Sequence, residues 1–343
     1  MNCRIILLGM LCCFLISCDD IDDLLSWYLE DTSFQTCIWD RAPHCAFTGL
    51  TEYEGKYYCC FREATAHIPT SVENFGKIRI LESSDGERWV SVGVVGDKDY
   101  DLRDPKLTKT SDNRLMLIYG CSNLERGELI FRKTGVRFFE RQLTADQLSF
   151  SETQDVSIQQ DKFLSSYWLW RVVWHDGIAY GVAYKSNNKS VLVKSTDGVN
   201  YTVVTTLNIQ GNEADIEFLE DGRMMIVSRA VSGNGYIGTA SFPYTEWSWN
   251  DSRYLIHCPD IITLDGHLFV AGRGLDGTML YHVKDCVLEP IYTFPGGGGD
   301  NAYPGVIRVG DELWMSYYAG VGRISIYPQI RNRPHKMTQR SKR

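Results

Sequence analysis

The sequence is poor in proline and has no stripe of basic residues. It contains 10 prolines and 30 glycines among 343 residues, which excludes a disordered or collagen-like chain. Acidic residues outnumber basic ones by 43 to 35, a formal net charge of −8, and a nucleic-acid role is therefore disfavoured. The hydrophobic fraction of 44% is sufficient for a sizeable core, in one large domain or two ordinary ones.

Long apolar runs are absent except at the N-terminus. There, Arg4 precedes an apolar run through Ile16 that is too short to span a membrane as a mature helix, as expected for a signal peptide over residues 1–17. The run ends in Ile16-Ser17-Cys18, which resembles the bacterial lipobox. This resemblance implies a lipid on Cys18, an acidic tether over residues 18–33 and a protein held to a membrane of the bacterial cell envelope by lipid alone, facing the periplasm or the outside. An ordinary secretory signal with an incidental cysteine is the alternative.

Cysteine is frequent but lacks the spacing of a metal site. Of eleven cysteines, three lie in the signal peptide and one is Cys18. The other seven include no CxxC pair or Cys/His cluster. Most lie in apolar, strand-like runs, where a thiol acts as a small hydrophobic group. We therefore expect buried thiols, no metal and no cofactor.

The chain contains a six-fold repeat of β-hairpin turns. Their centres lie near residues 55, 113, 177, 222, 266 and 311. This spacing suits four-stranded propeller blades. We predict an all-β fold, a six-bladed β-propeller of four-stranded antiparallel blades over residues 34–330, followed by a basic disordered tail over residues 331–343. Because the sixth repeat is short, a segment near Phe34 to Trp39 should supply its outer strand.

Two repeats carry the pattern Ser-x-Asp-Gly-x-x-aromatic, at residues 83–89 and 195–201. Asp and Gly supply the side-chain hydrogen bond and the positive φ of a tight turn, and the aromatic residue packs beneath it. These segments resemble shortened Asp boxes of sialidase-type propellers, and we expect their role to be structural.

Three repeats place an arginine seven residues after the turn centre, namely Arg62, Arg229 and Arg273. In a propeller, these positions lie at the face opposite the turns. Arginine in a cleft binds carboxylate, sulfate or phosphate through two parallel hydrogen bonds. The pattern favours a cationic binding site over the alternative of a solvated rim.

The segment from Glu213 to Arg229 resembles the part of sialidases that provides the Glu partner of the nucleophile and an Arg of the carboxylate-binding triad. Similarly, Arg273 and Tyr303 resemble the final triad Arg and the nucleophilic Tyr. The resemblance implies that Glu213 is the base for Tyr303. A phenol with an ordinary pKa of about 10 needs such a base to act as a nucleophile. A neutral Tyr also approaches an anionic sugar with less repulsion than a carboxylate does.

The sequence departs from the sialidase pattern at two places. The Arg-Ile-Pro motif is missing from residues 43–48, so Arg171 or Arg103 is the candidate replacement for the first triad arginine. Where sialidases keep an Asp acid/base, the loop offers Glu63 or His67, and an imidazole exchanges protons near neutral pH.

Three further residues have two interpretations each. Asp104 matches a sialidase position that lines the pocket, or it belongs to an Asp-Pro turn. Trp168 and Trp170 share one face of a strand and either stack on a sugar or belong to the core. His44 lies nine or so residues before a turn centre, at the same face as the arginines.

The resemblance therefore implies an exo-acting, sialidase-like glycoside hydrolase that removes a terminal anionic sugar, sialic acid or a related acidic sugar, from a glycan. A second hypothesis is a uronic-acid lyase in which His67 and a Tyr act as base and acid. The third is a non-catalytic glycan-binding lipoprotein. In each case we expect a monomer whose partners are a glycan and, through the lipid on Cys18, a membrane.

Overall fold

The computed structural model describes residues 27–29, 36–140, 149–160, 163–164, 167–185, 189–294, 296, 301–310, 312–319 and 323–332. The predicted signal peptide and the lipidation site Cys18 lie outside these ranges. Within them, no helix has the length and apolar character needed to cross a membrane. The regular secondary structure of the described residues consists of strands, apart from one short 3-10 helix at Val72–Asn74.

The strands form six sheets, five of which are contiguous in sequence and are numbered here as blades 1 to 5. Two strands precede them, β1 (Trp27–Leu29) and β2 (Thr36–Trp39). Blade 1 contains β3 (His44–Tyr53), β4 (Lys56–Ala64), β5 (Lys77–Ser83) and β6 (Val90–Val95). Blade 2 contains β7 (Asp101–Lys109), β8 (Leu115–Glu125), β9 (Glu128–Glu140), β10 (Ser149–Phe150) and β11 (Gln154–Asp155). Blade 3 contains β12 (Ser157–Gln160), β13 (Phe163–Leu164), β14 (Trp168–His175), β15 (Ile178–Tyr184), β16 (Ser190–Ser195) and β17 (Asn200–Leu207).

The remaining sheets follow the same order of strands. Blade 4 contains β18 (Gly211–Phe218), β19 (Met224–Ala230), β20 (Tyr236–Ala240) and β21 (Ser248–Asp251). Blade 5 contains β22 (His257–Leu264), β23 (His267–Gly274), β24 (Gly277–Lys284) and β25 (Val287–Thr293). The sixth sheet, called the closing sheet, contains β26 (Ala302–Val309), β27 (Glu312–Ala319) and β28 (Arg323–Asn332), joined by β1 and β2.

The innermost strands of the six sheets contact one another in a closed ring. Their order is β3, β7, β14, β18, β22, β26 and back to β3. The chain is therefore an all-β propeller of antiparallel, essentially four-stranded blades, which confirms the predicted fold class.

The closing sheet combines strands from both parts of the chain. β28 pairs with β27 on one side and with β2 and β1 on the other. The predicted outer strand near Trp39 is thus present as β2. The sheet also extends further than predicted, because β1 lies in the expected tether and Arg331 in the expected tail. Each of these segments covers an edge that would otherwise present unpaired backbone groups.

The innermost hairpins differ in turn length. Blades 1, 3 and 5 use two-residue turns at Glu54-Gly55, Asp176-Gly177 and Asp265-Gly266, in which both residues have positive φ. Such turns match the twist of the strands that they join. In blade 4, Phe218 pairs with Met224, so this connection is three residues longer. Counting residues from the turn therefore does not give the same register in every blade.

Hydrophobic clusters fill the spaces between neighbouring sheets. One cluster between the closing sheet and blade 1 contains Trp39, Phe47, Phe61 and Trp314. Others lie between each successive pair of sheets. Five cysteines are buried free thiols, as expected, namely Cys45, Cys59, Cys60, Cys121 and Cys258.

The two Asp-box-like segments form tight turns between the third and fourth long strands of blades 1 and 3. In the first, Asp85 Oδ1 accepts hydrogen bonds from the backbone N–H groups of Glu87 and Arg88, both at 2.9 Å. In the second, Asp197 Oδ1 accepts those of Val199 and Asn200, both at 2.8 Å. These bonds satisfy backbone donors within the turn, which agrees with a structural role.

A β-bulge recurs near the start of each innermost strand, where two residues face one residue of the next strand. The first residues of the six bulges are Phe47, Asp104, Trp170, Asn212, Cys258 and Tyr303. Four of them have positive φ: Phe47, Asp104, Cys258 and Tyr303. A bulge re-aims side chains and interrupts strand pairing. The repeat thus places six bulges near the starts of the innermost strands, at one end of the propeller axis.

Candidate active site

Tyr303 and Glu213 are in direct contact although they lie in different sheets. The Tyr303 hydroxyl donates a hydrogen bond of 2.7 Å to Glu213 Oε1. Both residues belong to bulges. Tyr303 is the first residue of the β26 bulge, and Glu213 is the second residue of the β18 bulge. Burial raises the pKa of Tyr303 well above its usual value, and the Glu213 carboxylate raises it further. The phenol is therefore neutral, and the carboxylate is placed to take its proton.

The second oxygen of Glu213 is held by blades 4 and 5. Arg229 Nη1 lies 3.2 Å from Oε2, and the Cys258 backbone N–H donates to the same oxygen at 2.9 Å. Cys258 Sγ in turn accepts a hydrogen bond of 3.2 Å from the backbone N–H of Tyr303. Cys258 thus connects the Glu213 carboxylate to the backbone of Tyr303 and fixes their relative position.

Two of the three repeated arginines lie at this site. The Arg229 side chain is 28% exposed, so its guanidinium can reach both Glu213 and solvent. Arg273 Nη2 lies 3.1 Å from Nδ1 of His257. Burial and the two arginines lower the pKa of His257 to about 4, so this imidazole is neutral near pH 7. The two guanidinium groups keep their positive charge and form the cationic side of the site.

Arg62, the third repeated arginine, does not face the site. Its side chain is completely buried and forms two hydrogen bonds with Asp101, Nη2 to Oδ1 at 2.6 Å and Nε to Oδ2 at 3.3 Å. Gly76 packs so closely that an added Cβ would lie 2.3 Å from Arg62 Nε. The prediction that Arg62 binds substrate is therefore wrong, because a substrate cannot reach this buried guanidinium. Its charge is balanced by Asp101 within the fold.

The two candidate replacements for the missing triad arginine are also engaged elsewhere. Arg103 Nη1 lies 3.3 Å from Asp101 Oδ2 and donates to the His67 carbonyl at 2.9 Å. Arg171 Nη1 lies 2.7 Å from Asp260 Oδ2 and 3.5 Å from Asp215 Oδ2. Each guanidinium is mostly buried and paired with a carboxylate, so neither matches the exposed position of Arg229.

A buried charge cluster lies along the axis, beyond the bulges. Lys106 donates to the Thr48 carbonyl and lies 5.3 Å from the ring centre of Trp170. With Arg171, Asp215 and Asp260, it lines a cavity of about 130 Å³. Asp260 Oδ2 also accepts the backbone N–H of Val306 at 3.0 Å. This cluster ties the innermost strands together beneath Tyr303.

Asp104 is buried beside the Tyr303–Glu213 pair. It is 5% exposed, and its Oδ1 has no hydrogen-bond partner within the described part of the chain. Burial raises the pKa of Asp104 to about 6; the Arg103 guanidinium opposes this shift and the Glu213 carboxylate adds to it. Asp104 also contributes to the raised pKa of Tyr303, which places the carboxyl near the phenol. A carboxyl group with this pKa is able to donate a proton under mildly acidic conditions.

The other acid/base candidates have different surroundings. Glu63 accepts hydrogen bonds from Trp39 Nε1 at 3.0 Å and from Arg79 Nη2 at 2.6 Å, so its carboxylate is held within blade 1. His67 is exposed, and its Nε2 lies 3.3 Å from Arg103 Nη2. The half-buried His44 ring packs edge-on against His67 at 5.3 Å. The structure brings Asp104, but not Glu63, to the Tyr303–Glu213 pair.

The two candidate tryptophans have separate positions. Trp170 is 1% exposed and lies beneath Tyr303, with ring centres 6.3 Å apart, so the stacking of this ring on a sugar is excluded. Trp168 is half-buried and stacks on Phe131 at 4.7 Å and on Tyr184 at 6.0 Å. The bulge in β14 begins at Trp170 itself and interrupts the alternation that would have placed both rings on one face.

Several residues of the site were given no role by sequence reasoning. Phe47 packs against Tyr303 at 4.7 Å, and Cys258 and His257 support the charged groups. The pKa of the Tyr184 phenol is raised by burial and then by Glu213 and Asp104, which places it in the same pocket. The available indication was their distance from the turn centres, since Phe47, Cys258 and Tyr303 each lie eight residues before one and Asp104 lies nine before its own.

The fold resembles that of solved sialidase structures. The chain has a sialidase-like β-propeller fold. Trypanosoma rangeli sialidase in complex with the inhibitor DANA aligns with a TM-score of 0.62 and 12% identity, covering 84% of this chain and 55% of that one. The NanB sialidase from Streptococcus pneumoniae aligns with a TM-score of 0.60 and 10% identity, covering 89% of this chain and 70% of that one. This sialidase-like chain therefore spans little more than half of the trypanosomal enzyme.

A protein of unknown function from Dyadobacter fermentans DSM 18053 matches over a greater share of its own length. It aligns with a TM-score of 0.74 and 14% identity, covering 88% of this chain and 99% of that one. No protein-family model and no curated protein sequence matches the chain. At these identities the comparisons establish the sialidase-like fold alone.

Proposed function

We propose that this protein is an exo-acting glycoside hydrolase that removes a terminal anionic sugar, sialic acid or a related acidic sugar, from a glycan. The observation that carries the proposal is the 2.7 Å hydrogen bond from the Tyr303 hydroxyl to Glu213. A buried Tyr–carboxylate pair beside two arginines supplies both a nucleophile and a counter-charge for an anionic substrate.

In the first step, Tyr303 Oη attacks the anomeric carbon while Glu213 takes the phenolic proton. The glycosidic C–O bond breaks, and Asp104 gives its proton to the leaving oxygen. In the second step, Asp104 accepts a proton from a water molecule, which attacks the anomeric carbon. The bond to Tyr303 breaks, and Glu213 returns the proton to the phenolate. The sugar leaves with the configuration that it had in the substrate.

Arg229 and Arg273 would bind the anionic group of the sugar. Their positions support this role because Arg229 is partly exposed and Arg273 lies beside a neutral His257. With Arg62, Arg103 and Arg171 paired to buried carboxylates, we propose anion recognition by two arginines instead of three. This arrangement is compatible with an acidic sugar other than sialic acid.

The proposal is tested by measuring product release from sialosides, uronosides and sulfated glycans. We expect turnover of at least one class, and a loss of about 10³-fold or more in kcat for Tyr303→Phe and for Glu213→Gln, since both remove the nucleophile–base pair. Tyr318→Phe is the matched control, because its ring stacks on Tyr303 at 6.1 Å but is assigned no chemical step. An unsaturated product would indicate a lyase. Binding without any product would indicate a glycan-binding protein, and either result would overturn the hydrolase.

The lipid anchor is a separate proposal. We infer from the lipobox-like sequence that Cys18 carries the lipid and holds the propeller at the bacterial envelope. Metabolic labelling with a fatty-acid analogue, compared between the native chain and Cys18→Ala, tests this assignment. The Cys18→Ala chain is expected to lose the label and to leave the membrane fraction.

A further inference from the structure

A second concave surface lies between blades 3 and 4. This groove has a volume of about 550 Å³ and is lined in part by Tyr167, Lys185, Lys189, Gln210 and Tyr236. These residues lie at the start of β14, in the β15–β16 connection, in the β17–β18 connection and at the start of β20. Glu213 and Tyr303 also lie near the starts of innermost strands. The groove and the catalytic pair are therefore on the same face of the propeller.

Two short chain segments connect the lining of the groove with residues of the catalytic pocket. Lys185 directly follows Tyr184, whose phenol is electrostatically coupled to Glu213 and Asp104. On the other side, the Val231 backbone N–H donates to the Gln210 carbonyl at 3.0 Å, two residues beyond Arg229. A chain of sugars that begins at Tyr303 has a short path into the groove past Tyr184 and Arg229.

The lining has the chemistry of a site for an acidic carbohydrate. Lys185 and Lys189 contribute two ammonium groups, and none of the lining residues that the structure describes is acidic, in a chain with a net charge of −8. Asn208 and Gln210 supply amide groups that both donate and accept hydrogen bonds. The Lys185 ammonium lies 4.4 Å from the ring centre of Tyr167, which holds the charge at the groove wall.

We propose that this groove is a subsite for a second anionic group, a carboxylate or a sulfate, on the same glycan whose terminal acidic sugar reaches Tyr303. The inference rests on the proposed hydrolase and narrows its substrate to glycans with acidic groups at more than one residue. Lys185 and Lys189 determine this specificity, and the amide and tyrosine side chains bind the sugar that bears the group.

Binding to a chain that carries Tyr303→Phe tests the subsite without turnover. Calorimetry would compare a chondroitin sulfate tetrasaccharide, its desulfated form and a neutral chitin tetrasaccharide. We expect Lys185→Ala/Lys189→Ala to weaken binding of an acidic tetrasaccharide about tenfold, since each partly exposed ion pair contributes a few-fold to affinity. Loss limited to the sulfated ligand identifies sulfate, and loss with both acidic ligands identifies the carboxylate.

Lys194→Ala is the matched control. Lys194 is an exposed lysine of the same blade, near the end of β16 that adjoins the opposite face. The inference is overturned if the double variant binds acidic ligands as the parent does, if Lys194→Ala weakens binding equally, or if the neutral ligand is affected to the same extent. Thermal unfolding of each variant verifies that the fold is retained.

The same variants distinguish a failure of the subsite proposal from a failure of the hydrolase proposal. Turnover by the native chain that is unaffected by the two lysine substitutions would retain the hydrolase and reject the subsite. Lysine-dependent binding without turnover of any substrate by the native chain would retain the subsite and reject the hydrolase.

Discussion

Arg62 and Asp101 form a completely buried ion pair, with Nη2 and Oδ1 2.6 Å apart. By sequence position, Arg62 is equivalent to Arg273, since each pairs across the sheet with the residue just before a bulge. One of these arginines is enclosed by the fold and the other faces the pocket. The difference comes from their neighbours, because Asp101 and Gly76 enclose Arg62.

Substitution of Arg62 is therefore expected to change stability and not substrate affinity. Arg62→Met removes the closer of the two arginines that neutralise the buried Asp101 carboxylate, the other being Arg103, and should lower the free energy of unfolding by about 3 kcal/mol. Arg229→Met, at a partly exposed position, should raise KM with a smaller change in stability. Denaturant unfolding and steady-state kinetics on both variants test this division. A raised KM with unchanged stability in Arg62→Met would contradict it.

The pH dependence should identify the proton donor. Because the pKa of Asp104 is raised to about 6, the carboxyl is protonated below this pH and loses its proton above it. We expect kcat/KM to fall as the pH rises through about 6, and Asp104→Asn to abolish this dependence together with most activity. Glu63→Gln and His67→Ala serve as controls that keep the profile. A profile that shifts in His67→Ala instead would assign the donor to the imidazole.

Asp104 should also affect stability with a definite sign. Its folded pKa lies above the ordinary value of an aspartate near 4, so ionisation of this carboxyl opposes folding as the pH rises through 6. Asp104→Asn removes this effect, and its unfolding midpoint should fall less between pH 5 and pH 8 than that of the native chain. Thermal unfolding at both pH values measures the difference, and equal falls would contradict the assignment.

Cys258 should be chemically inert in the folded protein. Burial and the neighbouring Glu213 carboxylate raise the pKa of its thiol to about 12, and only the thiolate is nucleophilic. Iodoacetamide at pH 8 should leave Cys258 unmodified in the native state and modify it in denaturant, as detected by mass spectrometry of its peptide. The exposed Cys37 provides the positive control for labelling. Native labelling of Cys258 would show that the site opens.

The fold and the central pair were accessible from the sequence, whereas the surroundings of individual charges were not. Repeated turns identified the hairpins, and the resemblance of the segment around Glu213 indicated that Glu213 and Tyr303 lie together. Counting seven residues from a turn, however, predicted that Arg62, Arg229 and Arg273 occupy equivalent positions in their blades. The blade 4 turn is longer, and Arg229 therefore lies opposite the bulge. Burial of Arg62 also depends on Asp101, 39 residues away.

The tryptophans illustrate the same limit. Strict alternation along a strand predicts one face for Trp168 and Trp170, but the bulge begins at Trp170 and interrupts that alternation. A single sequence contains no local indication of such a bulge in β14, because its geometry is set by contacts with the neighbouring innermost strands.

The recurring bulge also restricts which side chains this end of the propeller can present. Phe47, Asp104, Cys258 and Tyr303 all have a left-handed backbone conformation, with φ of 64°, 48°, 46° and 50°. Branching at Cβ makes that conformation strongly unfavourable, so valine, isoleucine and threonine are disfavoured at these four positions. In a propeller with the same bulges, a change of substrate would therefore exchange one side chain unbranched at Cβ for another at these positions, while the backbone conformation is unchanged.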